Sequence, residues 1–592
     1  MIKILKNNFF ILKYMVAYSP SYIIISVIMS LFTLYDTFVS VLLMKYIIDG
    51  ITNKTPIHNI LIVMLIVFLV GLAINIFNSW CSNIYFPKYG HGFKKYMHNI
   101  LYDKALSLDI KCYDDPEFLN DYVWTMNDID HRIFSVFTSL QSLLISIINI
   151  AFLVTVILTL DYVLIIFALC SVFCSNFLGT KLSKIKYEMS IANMTPQRII
   201  SYVQRVFYLR DYAKELRLSE MPVLIKKKFN EAITSLIDNV RLYGLKSLFL
   251  DVLLKICYFV FSVFGTLMYL TVRTYMGYIT IGSYPALYNA TTNLNNHLQS
   301  LFKFVSNAYE NNLYIERFKK FLNYQPENKQ GDRSIGNVEK IEFKNVMFSY
   351  DQKNNVLNDI NFSVCKGEKI AIVGHNGAGK STLVNLLLKL YFPSSGEIKI
   401  NDININEFTT SEYLKKFCVV TQDYKLFAAS IAENILCKSD ISEDERKKVL
   451  NALKSVEIYN KVVLSPNDVD SQYSKEFYDD GLLFSGGEEQ KLALSKIFAT
   501  DAEIIVLDEP SSALDPVSEY NIFNKIKQQL KGKTIIFISH RLYSTTLADK
   551  IIVLDNGRIS EIGSHNSLME ANGKYAELFK IQSERYVNDN EI

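Results

Sequence analysis

No C-x-x-C pair occurs among the eight cysteines, which stand at 81, 112, 170, 174, 257, 365, 418 and 437. That spacing excludes a zinc site of the usual kind and a disulfide framework, and leaves scattered thiols. An excess of charge is missing too. The 62 basic and 59 acidic residues leave a net charge of +3, too little to argue for a nucleic-acid partner. The second half of the chain lacks long uncharged runs, whereas the stretch before about residue 305 is full of them. This contrast predicts a membrane domain joined to a soluble one, for which 592 residues leave room. The abundance of Lys, Ile, Asn and Tyr points to an AT-rich coding genome.

A membrane-crossing helix needs roughly 20 apolar residues. Tyr22–Met44 is apolar except for Asp36, and Ile60–Trp80 carries no charge. Ile133–Leu160 and Tyr162–Thr180 are parted only by Asp161, as in a tight helical hairpin. Ile256–Val272 and Met276–Phe302 follow, with Arg273 between them. The expected fold is therefore a six-span α-helical transmembrane domain over 1–325, with spans near 22–47, 58–82, 133–160, 162–182, 248–272 and 276–303. Lys and Arg crowd the amino terminus and the segments 83–132 and 183–247, while the alternate loops hold little beyond Lys54 and Arg273. The positive-inside rule places both termini and both long segments in the cytoplasm. Loops that long are expected to be helices running out of the bilayer and folding back. Asp114–Asp121, rich in acids around Pro116, and Tyr212–Ser219 are candidate contacts to the soluble domain. Residues 1–20 read as an interfacial amphipathic helix. No cleavable signal peptide is expected, because the first apolar run is too long.

A polar, turn-rich linker covers 326–337, and a soluble α/β domain is expected over 338–592. Ile341–Tyr350 alternates like a strand, and Ile551–Asp555 with Arg558–Ser560 forms a hairpin across Asn556-Gly557. The apolar strand Lys369–Val373 leads into Gly374, His375, Asn376, Gly377, Ala378, Gly379, Lys380 and Ser381, and then Thr382 opens a helix. Strand, G-x-x-x-x-G-K-S loop and helix together make a nucleoside-triphosphate site: backbone N–H groups cradle phosphate, Lys380 meets the β- and γ-phosphates, and the Ser381 hydroxyl meets Mg²⁺. The buried-strand run Glu503–Leu507 ends in Asp508 and Glu509, and Thr534–Ser539 ends at His540. At the carboxyl edge of a parallel sheet, Asp508 can hold the metal, Glu509 can take a proton from an attacking water, and His540 can touch the γ-phosphate. Gln422, on a loop, can reach metal and water. Phosphoryl transfer asks mainly for positioning and charge neutralisation, which this set supplies. Taken singly, a strand-terminal Asp-Glu is commonly a cap and a lone His a satisfied one.

Phe484-Ser-Gly-Gly-Glu-Glu-Gln490 adds a second glycine-opened helix start. One nucleotide has little use for two such anion sites, so a second copy of the domain is expected to share them. With these residues the chain resembles the ATP-binding cassette (ABC) exporters over almost its whole length. Walker A is Gly374–Ser381, Walker B is Ile504–Asp508, and the D-loop is Ser512–Asp515. The resemblance implies nucleotide contacts from Tyr350, stacked on adenine, from Gly374–Thr382, Gln422, Ser485, Gly486, Gly487, Glu488 and Asp515, with Ser381, Gln422 and Asp508 at Mg²⁺. It also implies a catalytic Glu509, a switch His540 and a Q-loop Gln422. Phe484 stands where Leu is usual, and Glu488 where Gln is usual.

These features imply an ATP-driven half-transporter of the bacterial inner membrane. It would work with a second half-transporter, an identical copy or a different one. The polar run Asn289–Gln299 either lines a wet cavity or bonds packed helices. Only about twenty residues precede the first span, so cleavage of a leader peptide is not expected. Small-peptide export is the expected function, with lipid flipping or drug efflux as alternatives, and an ATP-gated channel or a regulatory, non-transporting protein on the same frame as the alternative of another class.

Overall fold

The computed structural model describes residues 2–326, 331–351, 353–539 and 542–588. By packing it divides into two units. One comprises 1–108 and 116–324, and the other 109–115 and 325–592.

The first unit is helical: α1 (Ile2–Tyr18), α2 (Pro20–Thr52), α3 (Ile57–Leu106), α4 (Pro116–Leu160), α5 (Leu164–Tyr208), α6 (Met221–Tyr275) and α7 (Ser283–Asn323). Among the described residues, five helices have the length and apolarity to cross a membrane: α2, α3, Arg132–Leu160 of α4, α5 and α6. Leu61, Ile62, Leu65, Phe68 and Leu69 of α3 are all exposed. An apolar surface of that extent fits a hydrocarbon surrounding, where a helix satisfies its own backbone. The chain is thus a membrane protein.

The remaining expected span falls partly in α7, whose start differs from the 276 expected. Met276–Gly282 is a turn, with Gly277 in the left-handed region at φ 75°. The Thr280 hydroxyl accepts from Ser283 N at 3.1 Å, and Asp49 accepts from Lys45 at 2.7 Å, Thr280 at 2.9 Å and Gly282 N at 3.0 Å. These polar bonds stop the apolar run Met276–Ile281 from continuing as helix. Asp161, buried in the α4–α5 turn, accepts from Tyr269 at 3.1 Å and Arg273 Nε at 3.2 Å. The two charges that punctuate the apolar runs are each other's partners, and burial is tolerated because the carboxylate is bonded throughout.

In the second unit, β1 (Lys340–Phe348), β2 (Leu357–Cys365), β4 (Ser395–Ile400) and β5 (Ile403–Asn404) form an antiparallel sheet in the order β2-β1-β4-β5. A six-stranded sheet runs β10-β9-β3-β8-β7-β6, from β3 (Lys369–Val373), β6 (Phe417–Val420), β7 (Ile504–Asp508), β8 (Thr534–Ile538), β9 (Lys550–Asp555) and β10 (Arg558–Gly563). All of its pairings are parallel except β9–β10, the hairpin across Asn556-Gly557. Every residue of β7 and β8 is buried. Such runs belong to a sheet covered on both faces, whose ligands gather at the carboxyl edge.

Asp109–Asp115, which includes a 3-10 turn at Ile110–Asp114, packs with the second unit although its flanking helices belong to the first. The Tyr391 hydroxyl donates to Asp114 Oδ2 at 2.9 Å. Arg210–Leu218, two short helical turns, belongs to the first unit.

Candidate functional site

Strand β3 ends at Val373, and the loop from Gly374 to Gly379 leads into α8 (Lys380–Leu387). Glycine is required here on two counts. A Cβ on Gly374 would lie 2.2 Å from the Leu554 carbonyl oxygen, and Gly379, at φ 98°, would press 2.6 Å from the Leu357 side chain. The backbone is therefore close-fitted where it opens a helix, an arrangement suited to phosphate. Lys380 is buried, and its ammonium donates to the carbonyls of Gly374 and His375, both at 2.9 Å. Burial pulls its pKa down, against the pull of Glu509 and Asp508. Ser381 is exposed, whereas Thr382 is buried and within 3.2 Å of the Tyr350 hydroxyl. Tyr350 meets Phe348 and Tyr391 edge-on, with ring centroids 4.7 and 5.1 Å apart, and stays open on its outer face. That leaves a ring fit to stack a base.

Adjacent strands bring the carboxylates to the same edge. Asp508 ends β7, buried beside Ile538 of β8. Glu509 follows at φ 49°, its N–H bonded to the Ile538 carbonyl at 3.0 Å. A left-handed glutamate is strained, and here the β8 bond holds it. Gln422 Nε2 donates to Glu509 Oε2 at 2.9 Å, so the Q-loop residue and the carboxylate meet. His540 lies outside the described residues.

Ser485 caps α9 (Gly486–Ala499) through a capping box with Glu488. Gln490, buried on α9, accepts from Ala513 N at 2.7 Å and donates to Ser512 Oγ at 3.1 Å. The signature helix is thereby tied to the loop after Glu509. Asp515 caps α10 (Pro516–Gln529), accepting from Val517 N at 3.1 Å and Ser518 N at 3.0 Å; the Ser518 side chain first, and then these backbone bonds, hold its pKa down. Its carboxylate has a local structural task beside any part in nucleotide contact.

The family model for the ABC transporter domain matches residues 357–512, from β2 to the loop after Glu509. The chain is 28% identical to the subtilin transport ATP-binding protein SpaT of Bacillus subtilis, over 89% of this chain and 86% of that protein. It is 27% identical to the putative multidrug export ATP-binding/permease protein YgaD of Bacillus subtilis, over 92% and 93%. In structure it superposes on a bacterial Atm1-family ABC exporter with a TM-score of 0.75 at 21% identity, over 95% and 98% of the two chains. The chain carries an ABC transporter domain, and its full-length relatives are bacterial transport and export proteins. It binds nucleotide, hydrolyses ATP and drives export across a membrane. Its likeness to the ATP-dependent lipid A-core flippase of Burkholderia pseudomallei is higher, 37%, but spans only 41% of the exporter and 40% of the flippase.

Two contacts at the site carry no local sequence signal: Tyr391 reaches Tyr350 across 41 residues, and Lys461 reaches Glu488 across 27. A third, from Gln490 to Ala513 across 23 residues, starts inside a recognisable motif. In the membrane half, Asn289 donates to the Ser40 carbonyl at 2.9 Å and Asn295 to Ser171 at 2.9 Å. Those two bond packed helices, the second of the two uses expected for the polar run.

Proposed function

We propose that this exporter works as a pair of half-transporters in the bacterial inner membrane, in the simplest case two identical copies, and that its cargo is a small peptide. Both termini and the second unit face the cytoplasm in this reading, in keeping with the distribution of Lys and Arg. The soluble units close over two ATP molecules. Tyr350 stacks on adenine, Gly374–Thr382 wraps the phosphates, and Ser485–Gly487 of one copy, with Glu488 and Asp515 nearby, closes over the nucleotide held by the other. Ser381, Asp508 and Gln422 are oxygen donors fit for Mg²⁺. A cation at such a site would be held in part by these oxygens and in part by substrate phosphate. When bound, it supplies charge neutralisation at the phosphates.

Glu509 is the general base. Gln422 fixes its carboxylate at 2.9 Å. The carboxylate takes a proton from water as the water oxygen bonds to the γ-phosphorus and the bond to the β–γ bridging oxygen breaks, releasing ADP and phosphate. His540 orients that water. Closure opens the spans outward, and hydrolysis resets them.

The observation that carries the peptide reading is the extent of the SpaT likeness. It reaches through the membrane half, where cargo is chosen, whereas the flippase likeness spans 41% of the chain. The equally long YgaD likeness favours multidrug export as the second reading. Purified exporter in inside-out proteoliposomes decides between them. A small cationic antimicrobial peptide should stimulate ATPase activity and accumulate in the lumen. Dye accumulation with no response to peptide would replace this reading with the multidrug one, and flux under ATP binding without hydrolysis would make the protein a channel.

A further inference from the structure

Glu488 puts an anion at the start of α9, the helix end that meets phosphate in the reading above. Its Oε2 accepts three bonds: from Ser485 N at 2.7 Å, from Ser485 Oγ at 3.0 Å and from Lys461 Nζ at 2.7 Å. The Ser485 hydroxyl proton is thus directed at Glu488. To serve a phosphate oxygen it must leave that carboxylate. Lys461 stands on the short helix Tyr459–Val463, and its ammonium also lies 4.7 Å from the centre of the Phe484 ring. One cation therefore contacts both residues that depart from the usual family signature, Phe484 and Glu488. Phe484 is in turn stacked by Tyr473, whose hydroxyl binds Glu489 at 2.9 Å. Lys461 and Glu488 are both about a third exposed, so the pair is screened in part but not lost to solvent.

We propose that Lys461 is a positioning residue for ATP: it neutralises Glu488 and so releases the Ser485 hydroxyl to donate to phosphate. An uncompensated carboxylate here would repel the polyphosphate and retain the serine proton. The exporter thereby uses a lysine–glutamate pair where a neutral side chain is usual. The inference rests on the reading that Ser485–Gly487 closes over the partner's nucleotide.

The test is a mutant cycle on the full-length exporter in lipid, read as KM for ATP and kcat separately. Lys461→Met should raise KM about fivefold, with kcat within about twofold, the size expected of a half-screened charge near phosphate. Glu488→Gln should lower KM, and adding Lys461→Met to it should change KM by less than about 1.5-fold, since no charge is left to neutralise. Lys461→Arg should stay near wild type, which separates charge from folding. An equal rise in KM in both backgrounds, or no rise in either, overturns the proposal. Gly486→Asp serves the underlying reading. A Cβ on Gly486 meets nothing within 4 Å in its own chain, so the substitution should fold yet stop turnover by placing charge against the partner's phosphate. Wild-type turnover in Gly486→Asp would overturn the shared-site reading itself, whatever the Lys461 cycle shows.

Discussion

At the scale of single residues, function rests on groups held in unfavourable states by their neighbours. Glu509 sits at φ 49° directly after a fully buried strand, with its N–H bonded to Ile538 and its carboxylate to Gln422. Glu509→Gln preserves both size and a partner for Gln422 but cannot take a proton. Its expected effect is loss of turnover by about 100-fold or more, the range for a general base, with ATP binding intact and the closed pair accumulating. Phosphate release together with trapped nucleotide measures this. Turnover near wild type would remove Glu509 from the role. The residues of this site are legible from sequence because phosphate chemistry imposes a local spacing. The Walker loop needs strand, glycines, lysine and helix in one short stretch, so it can be read without a fold. Lys461 and Tyr391 obey no such spacing. They were brought to their partners by packing across tens of residues, which leaves no periodic trace.

At the scale of elements, the strands and helices were readable where burial is uniform or alternation is strict. β7 and β8 are apolar throughout because both faces of the sheet are covered, and the hairpin β9–β10 follows from Asn556-Gly557. The start of α7 was not readable, since the residues from Met276 to Ile281 are apolar enough to look like span. Thr280 and Ser283 end that apparent continuity only through bonds to each other and to Asp49, 231 residues away from Thr280. Element-to-element ties can be tested at Gln490, which is buried and joins α9 to the loop after Glu509. Gln490→Ala leaves Ala513 N without its partner, at a cost of about 1–3 kcal/mol. The expected outcome is roughly a tenfold fall in kcat, with nucleotide binding at the Walker loop changed less than about threefold, because about 1.4 kcal/mol corresponds to tenfold. Equilibrium nucleotide binding and steady-state turnover on the same sample separate the two. Equal losses in both would place Gln490 in general stability instead.

At the scale of the whole molecule, the question is how a nucleotide-bearing unit drives helices that belong to another. Asp109–Asp115 packs with the second unit, yet the chain enters it from α3 and leaves it into α4. A path of contacts runs from Thr382 beside the phosphate loop to Tyr350, from that ring to Tyr391, and from the Tyr391 hydroxyl to Asp114 at 2.9 Å. Burial, reinforced by Asp114, pushes the Tyr391 pKa up to about 12. The phenol therefore stays protonated, and a donor, at every working pH; raising the pH would release this bond only on approaching that value. Tyr391→Phe keeps the ring against Tyr350 and deletes the bond to Asp114. Nucleotide affinity and ATPase rate should then stay within about twofold, since the lost bond is a single charge-assisted one of about 1.5–3 kcal/mol remote from the reacting atoms. Cargo moved per ATP hydrolysed should fall. Parallel measurement of phosphate release and lumenal cargo in one vesicle preparation gives that ratio directly. An unchanged ratio would mean that closure reaches the spans by another route, and a matching fall in ATPase rate would mean that Tyr391 supports the base platform and not the link to the membrane helices.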